Sequence, residues 1–153
     1  MGWTGDLGTF PSVGAYAVAT PEDSVTLDGD IVLVALKKFA RFKCIIDTGA
    51  IISEPQGDVG SMGFKNSVTG KIASSDPKVL AWAQRMLNGC CVVIVKEKNG
   101  QMRVIGSKEQ PAQSETMTHT NNATANNLEF SIYDTIGKIA PLYTGVIDLD
   151  ETS

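Results

Sequence analysis

Basic residues are in short supply, with thirteen Lys and Arg against seventeen Asp and Glu, for a net charge of -4. The deficit is shared evenly between the two halves of the chain, so neither offers the basic stripe with which proteins grip duplex phosphates. Tight DNA binding is not expected. Long hydrophobic runs are also missing: residues 31–36, a run as long as any in the chain, are far too few to cross a bilayer, and residues 1–6 lack the basic start of a secretory leader. The expectation is a cytoplasmic, non-membrane protein. Cys44, Cys90 and Cys91 form neither an even disulfide framework nor a CxxC pair, which points to a reducing compartment and to no metal site. The single histidine, His119, lies in a Thr-rich stretch beside asparagines, the setting of a surface strand rather than of a Ser-His-Asp triad. With no Gly-rich phosphate loop and no GxSxG, the chain is not read as an enzyme, and neither a cofactor nor a small-molecule ligand is expected.

What is present describes one globular domain over 1–153: 42% of residues are hydrophobic, 20% are charged, and only six prolines interrupt the chain. Residues 1–30, rich in Gly, Pro, Thr and Asp, read as an N-terminal arm with one possible strand at 13–19. Residues 31–36 and 40–46 are strand-like, the first the more buried. Residues 48–63 carry Gly49, Pro55, Gly57, Gly60 and Gly63 with few large apolar anchors, which predicts a long exposed loop, and long loops in compact domains usually serve a function. Residues 64–72 suit a returning strand.

Helical punctuation is clearest around 77–87. Asp76 is a natural N-cap, Pro77 suits the first helical position, and Asn88-Gly89 ends the run. At about 100° per residue, Val79, Leu80, Trp82, Ala83, Met86 and Leu87 share an arc that is read as a core face. Residues 90–95 and 101–106 then form a hairpin, with Asn99-Gly100 as a tight primed turn. Residues 112–120 and 128–133 alternate as two more strands, 142–147 as a last one, and the acidic tail 148–153 frays. The sum is a mainly β (α+β) fold, an antiparallel β-sandwich or partly closed barrel with one amphipathic helix.

Two motifs carry resemblances. Cys44-Ile45-Ile46-Asp47-Thr48-Gly49-Ala50 resembles the signature of retropepsin-type aspartic proteases, and Val104-Ile105-Gly106 resembles the segment such enzymes pack against it. That resemblance implies a two-fold dimer with Asp47 as the shared carboxylate. Against it, Pro111 blocks the helix that should follow Gly106, and a helix at 77–87 occupies the place of flap and sheet. A strand ending in an Asp-Thr-Gly turn accounts for the same residues. A third reading is a non-catalytic β-sandwich adaptor of a virion, or a carbohydrate-binding module, although Trp3, Trp82, Tyr16, Tyr133 and Tyr143 form no clustered platform in sequence.

From Asp47 onward the order of features resembles the tail-tube-type proteins of tailed bacteriophages. The resemblance is carried by Ile46-Asp47-Thr48-Gly49 before a Gly-rich excursion, Gly63-Phe64-Lys65-Asn66-Ser67 leading into the helix, the hairpin 92–107, the Pro111 break, and Ala140-Pro141-Leu142-Tyr143-Thr144-Gly145. It spans about two-thirds of the chain; residues 1–30 match nothing in the pattern, and a glycine expected after Asn127 is absent. The resemblance implies a tail-tube or related hub subunit that joins sheets edge to edge into rings, often hexameric, stacked around a channel for DNA. It implies other tail proteins as partners, DNA as a transient non-specific passenger, assembly in the host cytoplasm and residence in the virion tail. It makes 48–63 an assembly loop, with Thr48, Gly49, Ile51, Ile52, Gln56, Gly57, Asp58, Val59 and Phe64 as candidate interface residues. An acidic bore would repel passing phosphates rather than hold them.

Overall fold

A computed structural model of the chain describes residues 2–3, 7–11, 21–27, 29–34, 39–45, 48–73 and 77–147. The strand expected at 13–19, residues 35–38, Asp47, the Asp76 cap and the tail 148–153 lie outside the described residues. The elements are β1 (Gly2–Trp3), β2 (Leu7–Thr9), a 3-10 turn (Pro21–Val25), β3 (Val32–Leu33), β4 (Ala50–Gln56), β5 (Gly63–Ile72), α1 (Pro77–Met86), β6 (Cys91–Lys96), β7 (Met102–Ile105), β8 (Gln113–Asn121), β9 (Asn126–Gly137) and β10 (Leu142–Tyr143). One four-stranded sheet has the order β4-β5-β9-β8, a second has the order β1-β6-β7-β10, and β2 pairs with β3. These pairings are antiparallel, and the sheets do not close into a barrel, so the mainly β class with one helix holds.

The apolar run of β6 is explained by burial on both faces. Alternate side chains point to opposite sides of a strand. Cys91, Val93 and Val95 join the cluster formed by Val68 and Ile72 of β5, Leu128, Phe130 and Ile132 of β9, and Val79, Trp82 and Met86 of α1. Val92 and Ile94 join Leu7, Leu27, Ile31, Phe39 and Tyr143 on the other side. The second sheet therefore lies between the long sheet with its helix and the N-terminal segment. Among the described residues, that segment, read as an arm, contributes Leu7 and Leu27 to the core, at 3% and 4% exposure. Tyr143 ties it to the chain's end: the Ile31 amide donates to Tyr143 Oη (3.0 Å), which donates to the Val146 carbonyl (2.7 Å).

Several expectations are corrected. Of residues 31–36 only 31–34 are described, and of these Val32–Leu33 form a strand, paired with the three-residue β2. Val32 and Val34 are half exposed while Ile31 is buried. No strand forms over 40–45; Phe42 instead packs its ring 4.7 Å from that of Trp82. The strand expected at 142–147 is limited to Leu142–Tyr143. Most consequentially, 48–63 is no structureless loop, since Ala50–Gln56 pairs along its whole length with residues 63–69. The β6–β7 turn also differs from a two-residue primed turn. Gly100 N bonds the Glu97 carbonyl (3.0 Å) and Glu97 N bonds that of Gln101 (2.8 Å), so the loop has three residues, with Gly100 (φ 87°) as the bulge residue.

The helix begins at Pro77 as expected and carries Arg85 in its last turn, a favourable charge beside the terminal carbonyls. Its core face is narrower than the sequence arc. Val79, Trp82 and Met86 are buried and Ala83 is half-buried, but Leu80 and Leu87 are exposed, lying well over a quarter-turn from the centre of the buried stripe. Trp82→Ala is therefore expected to cost about 3–5 kcal/mol, through loss of its contacts with Phe42 and Phe130. Leu80→Ala stays within about 1 kcal/mol, as surface changes do; urea denaturation of both variants measures the contrast.

Candidate assembly surface

The long sheet presents one face to the core and the other to solvent, and register assigns each side chain. Val68 lies opposite Ile51 and Ile132, all facing the core, while Ser67 lies opposite Ile52 and Tyr133 on the outer face. The outer face is rich in Ser and Thr. Its charges are three carboxylates, Glu54, Glu115 and Glu129, and two ammonium groups, Lys65 and Lys71. Lys65 Nζ lies 3.0 Å from Glu115 and 4.8 Å above the Tyr133 ring; Lys71 lies 3.7 Å from Glu129. Ser131 Oγ donates to the second Glu115 oxygen at 3.2 Å. Hydrogen bonds from Lys65 and Ser131, and the Lys65 charge, hold the Glu115 carboxyl below the ordinary range.

The sheet's two margins, β4 and β8, are long for edge strands and have no strand paired on their outer side among the described residues. Pro55 cannot donate to a ladder, which suits an edge, and it sits near the end of β4, leaving 50–54 free of proline. In β8 a register shift falls between Ser114 and Thr116, leaving 116–121 regular. Beyond β4 the chain turns through residues 57–62, where Ser61 N bonds the Asp58 carbonyl at 2.9 Å. Val59 is 97% exposed at this tip and Met62 54%.

The candidate interface residues thus divide. Ile52 and Gln56 lie along the edge strand, and Gly57, Asp58 and Val59 at the exposed tip. Thr48 serves its own chain: its hydroxyl donates to the Ile45 carbonyl (2.6 Å) and accepts from Lys71 N (3.3 Å), fastening the turn to the end of β5, with Gly49 beside Cys44. Ile51 packs on the core, and Phe64 is half-buried in register with Pro55 and Gly137. Sequence reasoning missed β8 as the second edge, although its Ser and Thr alternation was visible. It also missed the Lys65–Glu115 contact, which joins residues fifty positions apart.

Beneath this surface lies a buried polar cluster. Asn66 Nδ2 donates to Asp134 Oδ1 (2.9 Å) and to the Lys138 carbonyl (2.8 Å); its Oδ1 accepts from Ala140 N (2.9 Å) and Ser53 Oγ (2.7 Å). Asp134 Oδ2 accepts from Gly106 N at 2.7 Å. Gly106, part of the protease-like Val104-Ile105-Gly106 segment, is thus engaged with Asp134. A Cβ there would come within 2.7 Å of Ala112 N and 2.9 Å of the Cys91 carbonyl, so the position requires glycine. The adjoining cleft of about 660 Å³, bordered by Phe10, Leu27, Ser107, Lys108 and Lys138, contains no metal-binding cluster among the described residues. His119 is exposed on β8, as its surroundings implied. Cys91 is buried, and burial pushes its thiol up to about 12, leaving it protonated and inert at neutral pH.

Lys65→Met is expected to return the Glu115 pKa upward toward the usual carboxylate range. In the wild type the Glu115 contacts are lost only as pH falls through the lowered value; carboxyl-carbon NMR titration reads both. Comparison with protein-family models, with curated proteins and with solved structures finds no match to this chain.

Proposed function

We propose that the protein is a structural subunit of a bacteriophage tail, assembling edge to edge into rings that stack around a channel for DNA. The observation that carries this reading is the pair of sheet edges, β4 and β8, that have no strand partner on their outer side among the described residues. The sheet has four strands of alternating direction, so β4 and β8 run opposite ways. A copy generated by rotation sets its β4 antiparallel to the first copy's β8, and the ladder continues across the joint without a change of pattern. Such a head-to-tail joint closes into a ring when the rotation divides a full turn. Closure also removes two edges that would otherwise template aggregation.

The outer face suits a conduit. It is polar, its carboxylates outnumber its ammonium groups by one, and Lys65 and Lys71 are both held near glutamates. A wall with its cations so occupied does little to retain passing phosphates. The tip at 57–62 lies beyond the last β4–β5 pair, Gln56 and Gly63, with Val59 exposed, which supports a role in contacting a neighbouring ring. Deleting all of 48–63 would strip β4 from the sheet, so the informative variant replaces only 57–62 with a two-residue Asn-Gly turn. It is expected to melt as the wild type does and to form rings that no longer stack, seen by negative-stain electron microscopy beside light scattering. Stacked tubes from this variant would count against the tip. A wild type that stays monomeric at every concentration would end the ring reading.

A further inference from the structure

The chain holds two Asn-Gly pairs, at 88–89 and 99–100, and the structure treats them differently. Asn99 is held at both ends of its carboxamide. Its Oδ1 accepts from Gln101 N at 3.0 Å and its Nδ2 donates to Gln101 Oε1 at 3.2 Å, while the Gly100 amide is committed to the Glu97 carbonyl at 3.0 Å. Asn88 is exposed just past the end of α1, and among the described residues its side chain makes no hydrogen bond. The Gly89 amide makes one long bond, 3.3 Å, to the Met86 carbonyl. Both residues border an open notch of about 250 Å³ between the helix end and the start of β8, where water reaches them.

We propose that Asn88 is a site of spontaneous deamidation in the folded protein, reacting well ahead of Asn99. The Gly89 amide nitrogen loses its proton and attacks Asn88 Cγ; the N–Cγ bond forms, the Cγ–Nδ2 bond breaks, and the side-chain nitrogen leaves as ammonia with the proton. Water then adds to the cyclic imide and opens it at one of its two carbonyls, giving aspartate or isoaspartate, with no redox partner. The glycine matters because it lacks a Cβ that would hinder the attack. Asn99 must first release its turn contacts, and loss of even one such bond makes the reactive conformation about five-fold rarer. The product carboxylate at position 88 stands beside the negative end of the helix, which disfavours it.

The test incubates the full native chain in mildly alkaline buffer, with a parallel sample in urea, and follows the tryptic peptides 86–96 and 99–103 by mass spectrometry. The expected result is conversion at Asn88 about five-fold or more faster than at Asn99 in the native chain, with similar rates in urea. Equal native rates, a faster Asn99, or an Asn88 that stays intact in the native chain while the urea sample converts would each overturn the proposal. Asn88→Asp, carrying the product's charge, is expected to melt below the wild type and Asn99→Asp to shift less; the reverse order would contradict the charge argument.

Discussion

Asp134 sits where β9 passes the end of β7, and its two oxygens bind different parts of the fold: one accepts from Asn66 on β5, the other from the Gly106 amide just past β7. A buried carboxylate left without donors would be costly, and each donor here comes from a separate element. Asn66 completes the arrangement by using both its amide hydrogens and accepting twice at its oxygen, from Ser53 and Ala140. The cluster therefore fixes the long sheet, the end of the β6–β7 hairpin and the approach to β10 in one relative placement. The apolar cluster beside it supplies most of the burial, but hydrophobic contact alone is non-directional. Five directed hydrogen bonds give the packing its register.

Among the described residues, that placement leaves the outer face exposed and both margins of the long sheet without a second paired strand. A protein that buried its functional surface in a cleft would put its unusual chemistry there. Here the buried polar groups pair with one another, while the surface carries regular strands with open ladders. The proposal rests on that contrast: among the described residues the buried Asn66 and Asp134 are satisfied internally, and the long edge strands are β4 and β8.

Much of this was legible in the residues. The β6–β7 hairpin, the β8–β9 pair and the helix start at Pro77 followed from alternation and punctuation, because those pairings are local. Residues 50–56 were obscured by the glycines and proline around them. In the fold Gly57 and Gly60 serve the tip while Pro55 is tolerated at an edge, so the strand between them persists. Leu80 and Leu87 share the helical arc with the core residues yet lie outside the packed stripe, because the cluster against α1 takes in Val79, Trp82 and Met86 and, in part, Ala83, a limit that no local pattern encodes. Asn66 and Asp134 read as ordinary polar residues on alternating strands. Their burial depends on a contact between positions sixty-eight apart, which no local pattern encodes. Asp47, on which the protease-like reading turns, lies outside the described residues, so that reading gains no geometric support.

The most direct test of the account is hydrogen–deuterium exchange on the dilute monomer and on the assembled protein, resolved to 50–54 and 116–121. If β8 of one copy pairs with β4 of the next, the outward-facing amides of both segments, about every second one, exchange quickly in the monomer and become protected together on assembly, while β5 and β9 are slow in both states. Assembled particles whose β4 and β8 amides still exchange at the monomer rate would contradict the edge-to-edge joint.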